Sequence, residues 1–164
     1  MGATYTVSMS NQTIIASADL VILRTASAIG TRASNIRLLR AWCAQGATET
    51  SEQLGIQLAL QASAFGTYTA ATPAPHVIGG AASGITGSTS AAAASAGVDA
   101  SANAAGTKTT IIADGFNNLT GWLWVPTPEE RILVPADTAV VLAMIGTATT
   151  LTNWYAGITF EELN

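Results

Sequence analysis

The stretch Leu54-Gly55-Ile56-Gln57-Leu58-Ala59-Leu60-Gln61 decides the fold class, because large apolar residues occupy every second position. That period of two is typical of a β-strand with one face in a core. The opening segment repeats the pattern, with Tyr5, Val7 and Met9 alternating with threonine and serine. Both segments are therefore predicted to be strands.

The rest of the chain carries further strand signals separated by turn signals. Strands are predicted at Asp19–Leu23, Asn35–Trp42, Thr109–Ala113, Gly121–Val125, Glu130–Val134, Thr138–Met144 and Trp154–Glu162. Turns are predicted at Ile29-Gly30, Asp114-Gly115, Asn117-Asn118, Pro126-Thr127-Pro128, Pro135-Ala136-Asp137 and Thr152-Asn153. Many short strands with frequent turns predict an all-β sandwich or barrel. The length of 164 residues corresponds to one domain, 1–164.

Residues 79–107 differ from the rest of the chain, since they consist almost wholly of Ala, Gly, Ser and Thr. Such a segment cannot form a core of its own. Helix propensity permits a short helix around Ala91 to Ala94, but Gly and Ser surround it. We predict an extended low-complexity loop within the domain, with a short strand near Val98.

The composition limits the kinds of partner. Charged residues make up only 10% of the chain, against about a quarter in ordinary soluble proteins, so another protein can cover the surface easily. A net charge of −4 lacks the basic excess that phosphate binding requires, which predicts no nucleic-acid partner. The longest apolar run, Ala139 to Ile145, is far shorter than the ~18 residues of a membrane span. No membrane partner is predicted.

The N-terminus and the cysteine count point to a cytoplasmic site of synthesis. The first residues lack a basic region followed by an apolar one, so they do not resemble a secretory signal. Cys43 is the only cysteine, which excludes an intrachain disulfide.

Charges are distributed unevenly along the sequence. Arginines cluster in the first quarter and acidic residues near the end, at Arg24, Arg32, Arg37 and Arg40 and at Glu129, Glu130, Asp137, Glu161 and Glu162. The asymmetry permits pairing between subunits, but scattered charges on solvated loops and strand edges are the favoured interpretation.

Residue types that carry catalysis are scarce. His76 follows Pro75 in a turn-like context and is predicted to be an exposed surface histidine, while Cys43 is predicted to be a buried thiol. One Cys and one His are too few for a zinc site. Neighbouring residues on a strand face opposite sides, so neither Glu129-Glu130 nor Glu161-Glu162 forms a glycosidase dyad by itself. No catalytic, cofactor-binding or metal-binding residue is predicted, and no enzyme.

Four tryptophans are the strongest candidates for binding residues: Trp42, Trp122, Trp124 and Trp154. They are able to line a sugar-binding surface. At strand positions they are more often core residues or anchors of a subunit interface, and we favour that interpretation.

The stretches Ala113–Asn117 and Gly121–Arg131 resemble small structural proteins of tailed-bacteriophage virions. Ile132–Asp137, Tyr155–Leu163 and the opening Tyr5–Ser8 fit the same pattern, so the similarity spans most of the chain. The prolines of Pro126-Thr127-Pro128 cannot lie in a central strand. We interpret that segment as a rigid turn between two strands.

The resemblance implies a single jelly-roll β-sandwich of two antiparallel sheets. The Ala/Gly/Ser-rich stretch 79–107 departs from the family pattern, and we predict it as a loop inserted in this domain. The resemblance also implies a homotrimeric decoration or cement protein on the outer surface of a capsid, bound to the major capsid protein and lacking a cofactor. Candidate subunit or capsid contacts are Tyr5, Trp42, Trp122, Trp124, Glu129, Arg131 and Trp154, together with the N-terminal segment and the low-complexity loop. The alternative is a receptor- or carbohydrate-binding module of a tail or head fibre.

Overall fold

A computed structural model describes residues 2–28, 33–47, 50–90, 92–103 and 105–163. This part of the chain forms thirteen strands and one short 3-10 turn, Pro128–Glu130. The strands are β1 Ala3–Gln12, β2 Asp19–Arg24, β3 Ile36–Gln45, β4 Gln53–Gln61, β5 Thr67–Ala70, β6 Ala74–Pro75, β7 Thr86–Gly87, β8 Ser95–Ala102, β9 Lys108–Asn117, β10 Trp122–Trp124, β11 Leu133–Val134, β12 Ala139–Ile145 and β13 Trp154–Glu162.

The strands form two sheets. Sheet I has the order β10-β3-β13-β1-β6, and β11 also pairs with β3. Sheet II has the order β5-β8-β2-β12-β4-β9, and β7 lies parallel to β8; the other pairs are antiparallel. Strands β1 to β4 alternate between the sheets. The prediction of an all-β fold with two antiparallel sheets is confirmed.

The period of two places one face of each sheet in a shared core. Ile56 and Leu58 of β4 are fully buried, as the alternation predicts, and they belong to the same core cluster as Tyr5 and Val7 of β1 in the other sheet. The ring centroids of Tyr5 and Phe160 lie 5.8 Å apart. Burial of these side chains removes apolar area from water and is the main driving force for the sandwich.

A second, smaller apolar cluster lies on the other face of sheet II. It contains Ile22, Tyr68, Ala100, Ala139, Val141 and Ala143, with Phe65 packed against it. The cluster explains why β12 is buried on both faces along residues 139–144. Residues of the connection after β4 therefore cover part of the outer face of sheet II.

Residues 62–107 connect β4 to β9 and contain β5 to β8. The strand predicted near Val98 is present as β8, which pairs with β2 and β5, and Ser95–Val98 are buried. Within 79–107 the structure has β7 as well as β8, and β8 is eight residues long, so this stretch contains more strand than the predicted loop with one short strand. A Cβ on Gly97 would lie 2.5 Å from Cβ of Tyr68, so small residues permit this close packing. Residues 92–94 precede β8 without forming a helix, and residue 91 lies outside the described residues.

Several predicted boundaries need correction. Asp114-Gly115 is not a turn, because both residues lie inside β9 opposite Ile56 and Gly55. The segment Glu130–Val134 is not one strand, since Glu130 ends the 3-10 turn and only Leu133–Val134 pairs with β3. The Pro126–Arg131 turn between β10 and β11 is confirmed.

Other predicted elements are present with small changes, and one lies outside the described residues. β13 has the predicted bounds, and β3 extends beyond Trp42 to Gln45, so Cys43 lies within a strand. The short strands β5, β6 and β7 have no counterpart among the predicted strands. The predicted Ile29-Gly30 turn falls outside the described residues.

Candidate interaction surface

Three of the seven candidate contact residues, Tyr5, Trp122 and Trp154, lie in the core. Tyr5 and Trp154 have no exposed area. The Tyr5 hydroxyl donates to the carbonyl of Ala81 at 3.1 Å, and Nε1 of Trp154 donates to the carbonyl of Thr150 at 3.1 Å. These side chains leave no surface for a partner, so the structure supports the core interpretation for both.

The tryptophans of β10 also face inward. Trp122 is buried, and its Nε1 donates to Oδ2 of Asp114 at 3.1 Å, while Trp124 is half-buried against the core. Leu123 lies between them and points outward, as alternation along a strand requires. The apolar surface of β10 is therefore carried by Leu123 rather than by its tryptophans.

Trp42 is the tryptophan that lies on the outer face of sheet I. It is half-buried, and its indole lies over Gly157 of the neighbouring strand, where a Cβ would come within 2.2 Å of Cζ2. The guanidinium carbon of Arg40 lies over the same ring, 4.7 Å from its centroid. A sugar stacking on this indole would have to displace the guanidinium.

Glu129 and Arg131 lie in the segment that links β10 to β11. Glu129 is exposed and Arg131 is half-buried. The neighbouring Glu130 caps the 3-10 turn, accepting from the hydroxyl of Thr127 at 3.0 Å. Glu129 is thus an accessible charge beside the edge of sheet I, while Arg131 is partly covered and its Nε is buried.

Arginine and acidic side chains pair within the chain. Arg24 lies 2.9 Å from Asp137, and Arg37 lies 3.4 Å from Glu161. These intrachain pairs join arginines of the first quarter to acidic residues near the end of the sequence. Part of the charge that the sequence offers for pairing between subunits is therefore paired within the chain. Arg32 falls outside the described residues.

Exposed apolar side chains follow one edge of sheet I. Leu123, Val125 and Leu133 are 64%, 63% and 54% exposed. Leu123 and Leu133 pair with Trp42 and Arg37 of β3, so both lie along the same side of that strand, and Val125 directly follows the end of β10. We call Leu123, Val125 and Leu133 the edge patch.

A second exposed apolar set lies at the opposite edge of sheet I, just after β6. Val77 is 70% exposed and Ile78 is fully exposed. Gly79 has φ +74°, and the amide of Gly80 donates to the carbonyl of Val77 at 2.9 Å, which closes a tight turn. We call residues 77–80 the apolar loop. The sequence signal for it is an apolar pair followed by two glycines, which our sequence reasoning did not use.

The apolar loop is attached firmly at both ends. The amide of His76 donates to the carbonyl of Thr4 at 3.0 Å, and its Nε2 lies 2.7 Å from Oγ1 of Thr6. After the loop, the buried carboxylate of Glu162 accepts from Ser83 Oγ at 2.5 Å and from the amide of Gly84 at 2.8 Å. The exposed tip therefore projects from an ordered base.

A cavity of about 440 Å³ lies beside this base. Its lining includes Ala3, Thr4, Tyr5, Pro75, His76 and Gly80. Most of these groups are apolar, so the cavity adds to the apolar character of this edge of sheet I.

The side chains that could take part in chemistry lie where the sequence predicts them. His76 is exposed, and Cys43 is buried, which raises the pKa of its thiol. Glu161 and Glu162 point to opposite sides, one toward Arg37 and the other toward Ser83. Within the described residues, no group of three or more His, Cys, Asp or Glu side chains is placed to hold a metal ion. No helix in this part of the chain is long and apolar enough to cross a membrane.

Comparisons with protein-family models, with curated protein sequences and with solved structures give no match.

Proposed function

We propose that the chain is a virion structural protein, a trimeric decoration or cement protein that binds the major capsid protein and stabilises the outer surface of a phage head. The observation that carries this proposal is the strand order. Eight strands form the framework: β1, β2, β3, β4, β9, β10, β12 and β13. In chain order they alternate between the two sheets, except that β4 and β9 both lie in sheet II. Numbered one to eight in chain order, they read 1-8-3-6 in sheet I and 2-7-4-5 in sheet II.

This order supports a jelly roll, an architecture common in viral capsid proteins and lectins. In this interpretation residues 62–107 are an insertion between the fourth and fifth strands. Its strand β8 extends sheet II beyond β2, and β6 extends sheet I beyond β1. A fold alone does not determine a function, so the proposal also rests on the surface.

The surface supports attachment to other proteins. Apolar side chains are exposed at both edges of sheet I, while charged residues are only 10% of the chain. A decoration protein contacts several neighbours at a symmetry axis, and weak contacts at each neighbour add through multivalency. Exposed apolar groups with few charges suit such repeated contacts, because little charge has to be desolvated.

Light scattering and capsid binding test the proposal. The purified protein is expected to have about three times the 16.6 kDa mass of one chain and to co-sediment with empty phage heads. A monomer that stays in the supernatant contradicts it. An oligomer that does not bind heads contradicts the capsid role alone.

The alternative, a carbohydrate- or receptor-binding module of a fibre, rests on Trp42, which lies half-buried on the outer face of sheet I with the Arg40 guanidinium over its ring. A glycan screen monitored by tryptophan fluorescence separates the two functions. Binding that is lost in Trp42→Ala, without head binding by the wild type, supports the fibre module.

A further inference from the structure

Lys108 is the only lysine of the sequence, and its Nζ contacts Oδ1 of Asp19. All four aspartates lie within the described residues, and Asp19 is the one with no exposed area. The other basic residues counted as Lys or Arg are all arginines. An arginine would bind a carboxylate through two parallel hydrogen bonds, so charge pairing alone does not require lysine at this position. Lysine differs in its chemistry, because its neutral amine is a nucleophile, whereas a guanidinium stays protonated.

The backbone at both residues of this pair is fixed by hydrogen bonds. Oδ1 of Asn103 accepts from the amide of Asp19 at 2.8 Å, and Nδ2 of Asn103 donates to the carbonyl of Ser17 at 2.9 Å. Lys108 is the first residue of β9 and pairs with Gln61 of β4. Both side chains therefore extend from ordered strands, which is the condition for a high effective concentration of one group at the other.

The second carboxylate oxygen of Asp19 faces a hydroxyl donor. Tyr68 is buried, and its hydroxyl donates to Oδ2 at 3.3 Å. Tyr68 belongs to the small apolar cluster on the outer face of sheet II, so this donor is held away from bulk water. Fixed donors at a developing oxyanion stabilise the transition state of acyl transfer in such surroundings. One oxygen of Asp19 thus contacts the amine, and the other accepts from a donor of fixed position.

We propose that Lys108 and Asp19 condense to an intrachain amide, an isopeptide bond between Nζ and Cγ. The ion pair in the structure is the reactant of this step. A proton passes from the ammonium to Oδ1, and the neutral amine attacks Cγ while the Tyr68 hydroxyl donates to the negative charge on Oδ2. A second proton then moves from Nζ to Oδ1, and the Cγ–Oδ1 bond breaks with release of one water. The products are the amide, with Oδ2 as its oxygen, and water, so no oxidant or cofactor is consumed.

Burial and positioning both favour the amide over the ion pair. Two buried charges carry a desolvation penalty that a neutral amide avoids. Well-oriented groups within one molecule reach effective molarities of about 10⁵ to 10⁸ M, which drives a condensation that is unfavourable between separate molecules in water. The lysine side chain is 19% exposed, which gives the released water a way out. The bond joins residues 89 positions apart and connects the start of β9 to the start of β2.

Intact mass and peptide mapping of the denatured wild type test the proposal. The protein is expected to be lighter than its sequence by the mass of one water. Trypsin, which cuts after Lys and Arg, should leave the chain uncut at Lys108 and release residues 41–131 joined to residues 1–24. A folded wild type that has its full mass and is cut after Lys108 overturns the proposal. Water lost as a cyclic imide at Asp114-Gly115, with Lys108 still cut, overturns it as well.

A variant that keeps the charge but not the amine gives the matched control. Lys108→Arg is expected to fold, by circular dichroism, and to show the full mass of its sequence. Loss of one water in Lys108→Arg overturns the assignment to the lysine. The wild-type peptide map decides the proposal if this variant does not fold. The bond does not depend on the proposed function, so failure of head binding and absence of the bond are separate results.

The role of Tyr68 is tested by the rate of water loss after cell-free synthesis. Tyr68→Phe removes the donor to Oδ2 and is expected to slow the reaction at least about tenfold. Tyr155→Phe is the control, because Tyr155 is an exposed tyrosine of sheet I, and its rate should equal that of the wild type. Equal rates in all three proteins overturn the assignment of Tyr68 as the donor.

Discussion

The indole of Trp42 lies over Gly157, with a Cβ on Gly157 predicted to fall 2.2 Å from Cζ2 and 2.5 Å from Cη2 of the ring. These residues are direct partners in the pairing of β3 with β13. The missing side chain at Gly157 creates the space in which the ring lies on the outer face of sheet I. The position of Trp42 is therefore determined by a glycine on the neighbouring strand.

Gly157→Ala is expected to lower the free energy of unfolding by about 1 to 3 kcal/mol, because the added methyl group overpacks against the indole. In a Trp42→Ala background the loss should disappear or reverse, since alanine is favoured over glycine within a strand. Urea denaturation of the four proteins in this double-mutant cycle measures the coupling.

Gly115→Ala provides the control for this cycle, because the nearest atom to a Cβ at Gly115 is 3.9 Å away. It should leave stability unchanged or slightly raised. Equal losses from Gly157→Ala with and without Trp42 would contradict the packing argument.

A buried ion pair fixes the end of the 62–107 connection. Asp19 has no exposed area, and its carboxylate contacts Nζ of Lys108 and accepts from the hydroxyl of Tyr68 at 3.3 Å. Lys108→Met leaves the buried carboxylate without this cation, and the expected loss of stability is about 3 to 5 kcal/mol. Thermal and urea unfolding measure it.

Asp137→Asn is the control for the buried pair. Asp137 bonds to Arg24, but its side chain is 58% exposed, so its loss should cost at most about 1 kcal/mol. Asparagine also tolerates the φ of 56° at this position. Similar losses from the two substitutions would show that burial of Asp19 does not govern the energy of its pair.

Strands with alternating apolar residues were predictable because one property of the sequence, the period of two, corresponds directly to burial on one face. The bounds of β13 and the core position of Ile56 and Leu58 follow from it. β8 lacks this signal, since its buried residues are mostly Ser, Ala and Gly. Its strand geometry depends on pairing with β2 and on contact with Tyr68, which lies far away in sequence.

The candidate contact residues show a second limit on what the sequence can predict. Trp154 and Trp42 are both strand tryptophans, yet one is buried and the other lies on the outer face. The face depends on strand register, which residue type does not reveal. The pair formed by Asp19 and Lys108 joins residues 89 positions apart and has no local signal. The exposure of Val77 and Ile78 likewise depends on how the connection folds.

Alkaline pH is expected to destabilise the fold through Cys43. Burial raises the pKa of its thiol, while in the unfolded chain the thiol ionises near pH ~8.5. Above that pH the unfolded state releases a proton that the folded state retains. Stability should then fall by about 1 kcal/mol between pH ~8.5 and ~9.5.

Cys43→Ala should flatten this slope in urea titrations over the same pH range, although its stability at neutral pH is lower. Tyr68→Phe is the companion variant, because burial and the Asp19 carboxylate raise the pKa of Tyr68 as well. Its effect on the slope should begin only above pH ~10, where tyrosine ionises in the unfolded chain. An unchanged slope in Cys43→Ala would contradict the assignment to the thiol.

A buried amide, Asn118, connects three loops at one end of the sandwich. Its Oδ1 accepts from the amide of Glu52 at 2.8 Å, and its Nδ2 donates to Oε1 of Gln45 at 2.8 Å and to the carbonyl of Thr50 at 2.9 Å. Gln45 in turn donates to the carbonyl of Thr150 at 2.9 Å. Both polar atoms of the Asn118 side chain, Oδ1 and Nδ2, are thus hydrogen-bonded.

Asn118→Asp replaces the Nδ2 donor with a carboxylate oxygen that faces two acceptors, the side chain of Gln45 and the carbonyl of Thr50. Oε1 of the buried Gln45 then lacks its donor, so the expected loss of stability is about 1 to 3 kcal/mol at neutral pH. Asn117→Asp is the matched control, since Asn117 is only half-buried and its Nδ2 donates to a single hydroxyl, that of Ser51. Urea denaturation of both variants should show the larger loss at Asn118, because only there does water fail to replace the missing donor. Equal losses would mean that the amide network contributes no more than an exposed hydrogen bond.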